Sequence, residues 1–172
     1  MAVHPGANWA PKRWPAEYYR QLVRRLIDTY GVQVVITGTL EDERVAQMIL
    51  NGKRDQTIVS LCGKTKTREL GALYSKCRLL ISNDSGPLHI GAGVGTNVVG
   101  IFGPTAPRET APMGRGRNLL IHYAPEGVTL PWIGKNFPSP WMEHISVDHV
   151  LKLIEREELL NTSARSQFSR NP

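Results

Sequence analysis

The sequence predicts an α/β fold in which one parallel sheet is covered by helices on both faces. Short apolar stretches alternate with segments of helical spacing along the whole chain. These stretches do not alternate apolar with polar residues, which is typical of parallel strands buried on both faces. Glycines, hydroxyls and charges concentrate in the loops after the strands, where such sheets bind ligands. We therefore expect a Rossmann-like sandwich.

The predicted elements follow one another in a regular order. A very short strand leads into His4, and the first helix runs from Trp14-Pro15 to Gly31, with a proline start and a glycine stop. The next helix, residues 41–50, opens with acidic residues. Further strands are predicted at 32–36, 57–61, 79–81, 98–102 and 118–123, and further helices at 67–74, 87–94 and 147–160.

Length and composition are those of one soluble globular domain. The chain has 172 residues, of which 41% are hydrophobic and 21% charged. We expect the domain to span residues 1–160 and the polar tail, 161–172, to be frayed. Residues 124–141 contain four prolines and no periodicity, so they predict an irregular surface connection.

The net charge of +6 has three possible interpretations. Basic residues are dispersed, with no run of five, which favours a solvated basic surface. Attraction to anionic lipid or to a lipid-linked phosphate is a second interpretation, and nucleic acid is disfavoured because aromatic residues are few. Two scattered cysteines, no signal sequence and no long apolar run indicate a cytoplasmic location.

The most informative stretch is residues 78–89, Arg-Leu-Leu-Ile-Ser-Asn-Asp-Ser-Gly-Pro-Leu-His. A buried strand ends abruptly and a helix begins at once, with Pro87 in its first turn. Free backbone N–H groups and the positive end of the helix dipole then meet at one point, which favours a phosphate or pyrophosphate. Ser85 adds a hydroxyl and Asp84 a carboxylate. His89 follows one turn into the helix, although a core or capping histidine is the alternative.

Two further loops on the same edge are candidates for anion binding. Residues 4–14 place Lys12 just before a helix, where a cation complements a bound anion, and the alternative is a solvated loop with a tryptophan packed on the core. Residues 103–108 can present Thr105 and backbone N–H groups, and the alternative is a proline-stiffened turn. The acidic residues predicted at this edge could bind ribose hydroxyls or a sugar as readily as they could abstract a proton; they are Glu41, Asp42, Glu43, Asp84 and Glu109.

Two glycine-containing motifs carry less weight. Gly63-Lys-Thr65 resembles the end of a phosphate-binding P-loop, but position 58 is isoleucine where the pattern needs glycine. We expect a helix N-cap at Thr65 or Thr67 instead. Gly91, Gly93 and Gly95 fall inside a helix and have the wrong spacing for a dinucleotide fingerprint, so close helix–sheet packing explains them better. No histidine spacing indicates a metal site.

The motifs together resemble the donor-binding region of the glycosyltransferase family 9 heptosyltransferases. Asn83-Asp-Ser-Gly-Pro-Leu-His89 followed by Gly100-Ile-Phe-Gly-Pro-Thr105 carries most of the resemblance, which covers roughly residues 3–155. Further stretches fit in the same order, namely 5–15, 63–70 and 145–147. The resemblance implies one half of a GT-B fold, in which two Rossmann-like domains flank the active site.

What the resemblance implies for function is specific. The family transfers heptose from ADP-heptose to the inner core of lipopolysaccharide, with inversion and without a metal or other cofactor. Lys12 would contact the donor phosphates, and an acidic residue in 41–43, of which Glu41 is favoured, would face the ribose or adenine. The pyrophosphate and sugar would be surrounded by Asp84, Ser85, Gly86 and His89.

The chain resembles only the donor half of such an enzyme. The catalytic base and the lipid-linked saccharide acceptor are expected on an amino-terminal domain, so the chain would be a fragment or the product of a split gene. Contact with the inner membrane would be peripheral. Two alternatives remain open: a nucleotide-sugar enzyme that uses a UDP donor, and a non-catalytic binding module that retains the fold.

Overall fold

A computed structural model gives the structure of residues 1–50, 56–125 and 140–161. In these residues six parallel strands form one sheet in the order β3-β2-β1-β4-β5-β6. The strands are β1 (Ala2–His4), β2 (Val34–Ile36), β3 (Ile58–Ser60), β4 (Leu79–Asn83), β5 (Asn97–Phe102) and β6 (Asn118–His122). The helices are α1 (Ala16–Tyr30), α2 (Glu43–Leu50), α3 (Thr67–Ser75), α4 (Gly86–Gly93), α5 (Pro107–Thr110) and α6 (Val147–Arg156).

Both faces of the sheet are covered, as the sequence predicts. Successive residues of a strand point to opposite faces, so Leu79 and Ile81 of β4 join one core with α1, α2 and α6. Leu80, between them, joins a second core with α3 and α4. The uninterrupted apolar strands are therefore explained by burial on both sides.

The helix boundaries differ from the sequence predictions where local geometry intervenes. The acidic start of the second predicted helix is a separate 3₁₀ turn, Leu40–Asp42, before α2. The last helix ends at Arg156 rather than Leu160, because Glu158 adopts a left-handed conformation with φ of 50°. Lys66, not Thr65 or Thr67, precedes α3, and its N–H donates to the Glu69 carboxylate.

The three glycines near the end of α4 serve different purposes. A side chain on Gly91 would come within 2.5 Å of Leu80, so close helix–sheet packing requires glycine there, as expected. Gly95 has a φ of +87° and turns the chain towards β5. Gly93 meets nothing within 4 Å, so packing does not explain it.

Two segments with sequence predictions lie largely outside the described residues. Of the expected irregular connection, 124–141, the structure describes only its two ends, and Trp141 begins a 3₁₀ turn, Trp141–His144. Of the expected tail, 161–172, it describes only Asn161. In the described part of the chain, no helix is long and apolar enough to cross a bilayer.

Candidate functional site

The strand order places a crevice between the ends of β1 and β4. From β1 the chain moves outward to β2 and β3, whereas from β4 it moves outward to β5 and β6 on the other side. The loops after these two neighbouring strands therefore diverge, and ligands of doubly wound sheets bind at this switch point. The loop after β1 carries Lys12, and the loop after β4 carries Asp84 and Ser85.

An ion pair joins the two loops across this crevice. Lys12 Nζ lies 2.6 Å from Asp84 Oδ2, with the side chains 18% and 4% exposed. The same oxygen accepts a hydrogen bond of 2.7 Å from the hydroxyl of Thr105, in the loop after β5, and a long one of 3.5 Å from Thr110 of α5. Asp84 therefore connects three loops of the carboxyl edge, and Lys12 and Thr105, which the sequence places at this edge, bond the same carboxylate oxygen.

Asn83 fixes the backbone beneath this cluster. Its side-chain oxygen accepts from the Trp14 N–H and from the Tyr19 hydroxyl, both at 3.1 Å. Its side-chain amide donates to the carbonyl of Pro5 at 2.7 Å. Because Asn83 is fully buried, these bonds are shielded from water and hold the loop after β1 against β4.

The start of α4 faces the same crevice with free amides. Ser85 is the extended residue before the helix, and its hydroxyl pairs with that of Ser82 at 3.2 Å. The backbone N–H groups of Ser85 and Gly86 donate to no atom of the described residues. Because they directly follow Asp84, the partner of Lys12, these amides, the helix dipole and a cation lie at the same edge of the sheet, which suits an anion.

Of the three acidic residues after β2, two bond other side chains or the backbone, and one bonds no described residue. Asp42 is buried and accepts from the N–H and hydroxyl of Thr39. Glu43 accepts from Ser60 and Gln47, which hold the pKa of its carboxyl below the usual range. Glu41 is exposed, and its carboxylate has no partner among the described residues. Of the three, Glu41 is the carboxylate available to a ligand.

Glu41 lies to one side of the Lys12 cluster. Two strand spacings, about 10 Å, separate β2 from β4. The loops after β1 and β2 nevertheless touch, because a side chain on Gly6 would come within 2.6 Å of Asp42 Oδ2. The structure thus brings Glu41 to the same edge as Lys12 without bringing it into the cluster.

His89 is exposed on the first turns of α4, and no described residue bonds its ring. The alternative of a core or capping histidine is therefore wrong for this residue. His4, at the end of β1, is the buried histidine, and its Nδ1 lies 3.1 Å from the Thr37 hydroxyl. Burial lowers the pKa of His4 to about 4, only partly opposed by Asp42, so its ring is neutral at pH 7.

The segment 140–146 packs behind the site and braces it. Trp14 Nε1 donates to the carbonyl of Ile145 at 2.8 Å, and Met142 fills the space beside Gly103. Trp14 is 2% exposed, so the loop of residues 4–14 combines the two sequence interpretations, a tryptophan in the core and a lysine at the site.

Two residues that the sequence analysis did not single out belong to the cluster. Thr110 reaches Asp84 because residues 107–110 form the short helix α5, which no periodicity in so short a stretch could predict. The ring of Trp9 lies 5.0 Å from Lys12 Nζ. The sequence contained a signal for the contact between Trp9 and Lys12, because an aromatic residue stands three positions before the candidate lysine.

A cavity of about 530 Å³ lies at the opposite edge of the sheet, near the starts of β4 and β5. Its two arginines are already engaged, since Arg78 donates to the carbonyls of Leu160 and Asn161 and Arg117 pairs with Glu157. The free amides and the Lys12 ammonium lie at the carboxyl edge instead, so we take that edge as the site. Among the described residues, no group of three metal-ligating side chains occurs.

Comparison with known proteins identifies the family. The model of glycosyltransferase family 9 (heptosyltransferase) matches residues 1–126. The chain belongs to this family. Lipooligosaccharide heptosyltransferase 2 of Haemophilus influenzae is 37% identical over 113 residues, which are 63% of this chain and 32% of that protein. Lipopolysaccharide heptosyltransferase 2 of Escherichia coli is 34% identical over the same length.

A solved family 9 structure confirms the fold. The ADP-heptose lps heptosyltransferase II of E. coli superposes with a TM-score of 0.75 and 28% identity, over 92% of this chain and 45% of that one. The predicted Rossmann-like half of a GT-B enzyme is thereby confirmed. The chain spans about a third of the length of the curated relatives it matches.

Proposed function

We propose that this family 9 chain binds ADP-heptose, or a closely similar ADP-sugar, as the donor half of an inverting heptosyltransferase of lipopolysaccharide core synthesis. The observation that carries the proposal is the ion pair of Lys12 with Asp84 at the switch point, since Asp84 directly precedes Ser85 and Gly86, whose amides donate to no described residue. The names of the lipopolysaccharide and lipooligosaccharide heptosyltransferases that it resembles support this substrate class.

The proposed chemistry is stabilisation of a leaving diphosphate. When an acceptor hydroxyl displaces the nucleotide at the anomeric carbon, negative charge grows on the diphosphate oxygens. Lys12, the two amides and the α4 N-terminus are aimed at that charge before the reaction begins, so little reorganisation is needed. Thr105 contributes a hydroxyl beside Lys12, and His89 would face the sugar.

Asp84 and Glu41 take different parts in this proposal. A carboxylate beside a diphosphate repels it unless its charge is neutralised, and Asp84 already accepts from Lys12 and Thr105. We assign Asp84 to holding these two side chains at the rim. Glu41 lies to one side and has no partner in the described part of the chain, so it can accept hydrogen bonds from ribose hydroxyls.

The proposed reaction needs groups beyond this site. A general base must deprotonate the acceptor hydroxyl, and we assign it, with the lipid-linked saccharide acceptor, to the other half of a two-domain enzyme. Lys12 and the amides supply the charge stabilisation, so the proposal includes no divalent cation. It places the protein in the cytoplasm, in peripheral contact with the inner membrane where its acceptor lies.

Calorimetry with ADP tests the proposal. We expect Lys12→Ala to weaken ADP binding about 10- to 100-fold, because a charge-assisted contact to phosphate contributes roughly 1.5–3 kcal/mol. Lys152→Ala is the matched control, since it removes the same charge from the exposed side of α6. Equal ADP affinity of wild type and Lys12→Ala would contradict the proposed role.

Two further comparisons separate this proposal from its alternatives. Tighter binding of UDP than of ADP would indicate a different nucleotide-sugar donor. Heptose transfer on addition of an acceptor-binding amino-terminal half would exclude a non-catalytic module, and we expect the chain alone to bind ADP-heptose without turning it over.

A further inference from the structure

Trp9 and Lys12 lie on one face of a single tight turn. Residues Ala10–Lys12 form a 3₁₀ turn, closed by a hydrogen bond of 3.1 Å from the Lys12 N–H to the Trp9 carbonyl. Side chains three residues apart eclipse one another in this geometry. The Trp9 ring is therefore brought beneath the Lys12 side chain, with its centroid 5.0 Å from Nζ.

The turn itself is braced against movement. Pro11 fixes a backbone angle inside it, and the Arg13 guanidinium donates to the carbonyl of Ala7 at 2.9 Å, across the loop. The following residue, Trp14, is tied through its N–H to the buried Asn83. Bonds within the loop and to Asn83 thus set the relative position of the Trp9 and Lys12 backbone.

We propose that Trp9 is a positioning residue that holds the Lys12 ammonium at the rim for the donor diphosphate, an inference that rests on the proposed function. The ammonium lies between two attractive groups, the electron-rich face of the indole and the Asp84 carboxylate. An ammonium carries three N–H donors. Asp84 accepts one of them, which leaves donors for phosphate oxygens.

The physical benefit is a smaller ordering cost on binding. A lysine side chain has four rotatable bonds, and immobilising it when a ligand arrives reduces the affinity. A lysine already confined by Trp9 and Asp84 loses less freedom. Trp9 is half-buried rather than in the core.

A double-mutant cycle with ADP tests this role. We expect Trp9→Leu to weaken ADP binding about three- to tenfold and Trp9→Phe to restore it to within about twofold, because phenylalanine keeps an aromatic face. Adenosine, which lacks phosphates, should bind equally to all three. In a Lys12→Met background, Trp9→Leu should have no further effect.

Three results would overturn the role. The first is an unchanged ADP affinity in Trp9→Leu. The second is an equal loss of affinity for ADP and adenosine in that variant, which would make Trp9 a stacking surface for the base. The third is a loss of ADP affinity on Trp9→Leu that persists in the Lys12→Met background.

A measurement without ligand separates this inference from the proposed function. The ring current of a tryptophan shifts nearby protons upfield, so the Lys12 ε-methylene NMR signal should lie upfield in wild type and in Trp9→Phe, and should return to the usual lysine position in Trp9→Leu. If the shift is present but wild type fails to bind ADP, the proposed function fails and the positioning contact stands. If ADP binds and the shift is absent, the positioning role fails and the proposed function stands.

Discussion

The two halves of the carboxyl edge are built differently. At the switch point, Asn83 and Asp84 tie the loops after β1, β4 and β5 into one buried or half-buried network. At the end of β2, the residue facing solvent is Glu41, which no described residue holds. The part of the site suited to a diphosphate is thus held by bonds within the chain, and no described residue holds the part suited to a ribose.

This difference follows from the physics of the two ligand groups. A diphosphate is bound by charge and by fixed donors, which are most effective when they need no reorganisation. A ribose hydroxyl needs one acceptor, which an exposed side chain can supply after the phosphates have bound. We therefore expect changes at the switch point to cost folding stability as well as binding, and changes at Glu41 to affect binding alone.

The largest expected effect comes from Asn83→Ala. The substitution leaves the Trp14 N–H and the Pro5 carbonyl without their buried partner, and it leaves the Tyr19 hydroxyl with only a long bond of 3.4 Å to the His4 carbonyl. We expect the free energy of unfolding to fall by about 4 kcal/mol, since each unsatisfied buried group costs roughly 1–3 kcal/mol. Urea denaturation measures it. A loss below about 1 kcal/mol would show that the loop is held by something else.

The second-largest expected effect is a pH dependence of folding stability caused by His4, which ends β1 between β2 and β4. The folded-state pKa of about 4 lies below the ordinary value of 6.5. Between these values the unfolded chain binds a proton that the folded chain does not, so folding stability is fully present above pH 6.5 and is lost as the pH falls towards 4. The loss attributable to His4 is about 3 kcal/mol.

Denaturation series at several pH values check this effect against His4→Gln. The variant lacks the titrating ring, so its stability should fall less steeply between pH 6.5 and 4, whatever its stability at pH 7. Parallel curves for the two proteins would show that another group causes the acid loss.

The smallest expected effect on folding stability comes from Glu41, at the end of β2. Glu41→Gln should leave the free energy of unfolding within about 0.5 kcal/mol of wild type, because the side chain is exposed and bonds none of the residues that the structure describes. It should weaken ADP binding about fivefold, a loss of roughly 1 kcal/mol. Inorganic pyrophosphate, which has no ribose, should bind both proteins equally. Weaker pyrophosphate binding by the variant would place Glu41 in the diphosphate site.

Much of this arrangement could be predicted from the sequence, because strand ends in a parallel sheet share one edge. The apolar run before Asn83 and the Ser-Gly-Pro start of α4 predict the anion-binding turn, and the positions of Lys12 and Thr105 in other loops place them at the same edge. Local pattern also fixes α1, whose proline start and glycine stop are both observed.

What the sequence could not predict depends on contacts between distant residues. The long-range bonds of Asn83 link positions 64 to 78 residues apart. Which of the three acidic residues after β2 is free depends on Asp42 capping its own turn and Glu43 reaching Ser60. The short helix α5 has too few residues to show a period.

The structure of the chain crystallised with ADP tests the central claim most directly. We expect the diphosphate within hydrogen-bond distance of Lys12 Nζ and of the Ser85 and Gly86 N–H groups, with the ribose towards Glu41. A diphosphate bound at the opposite edge of the sheet, beside Arg78 and Arg117, would contradict the account.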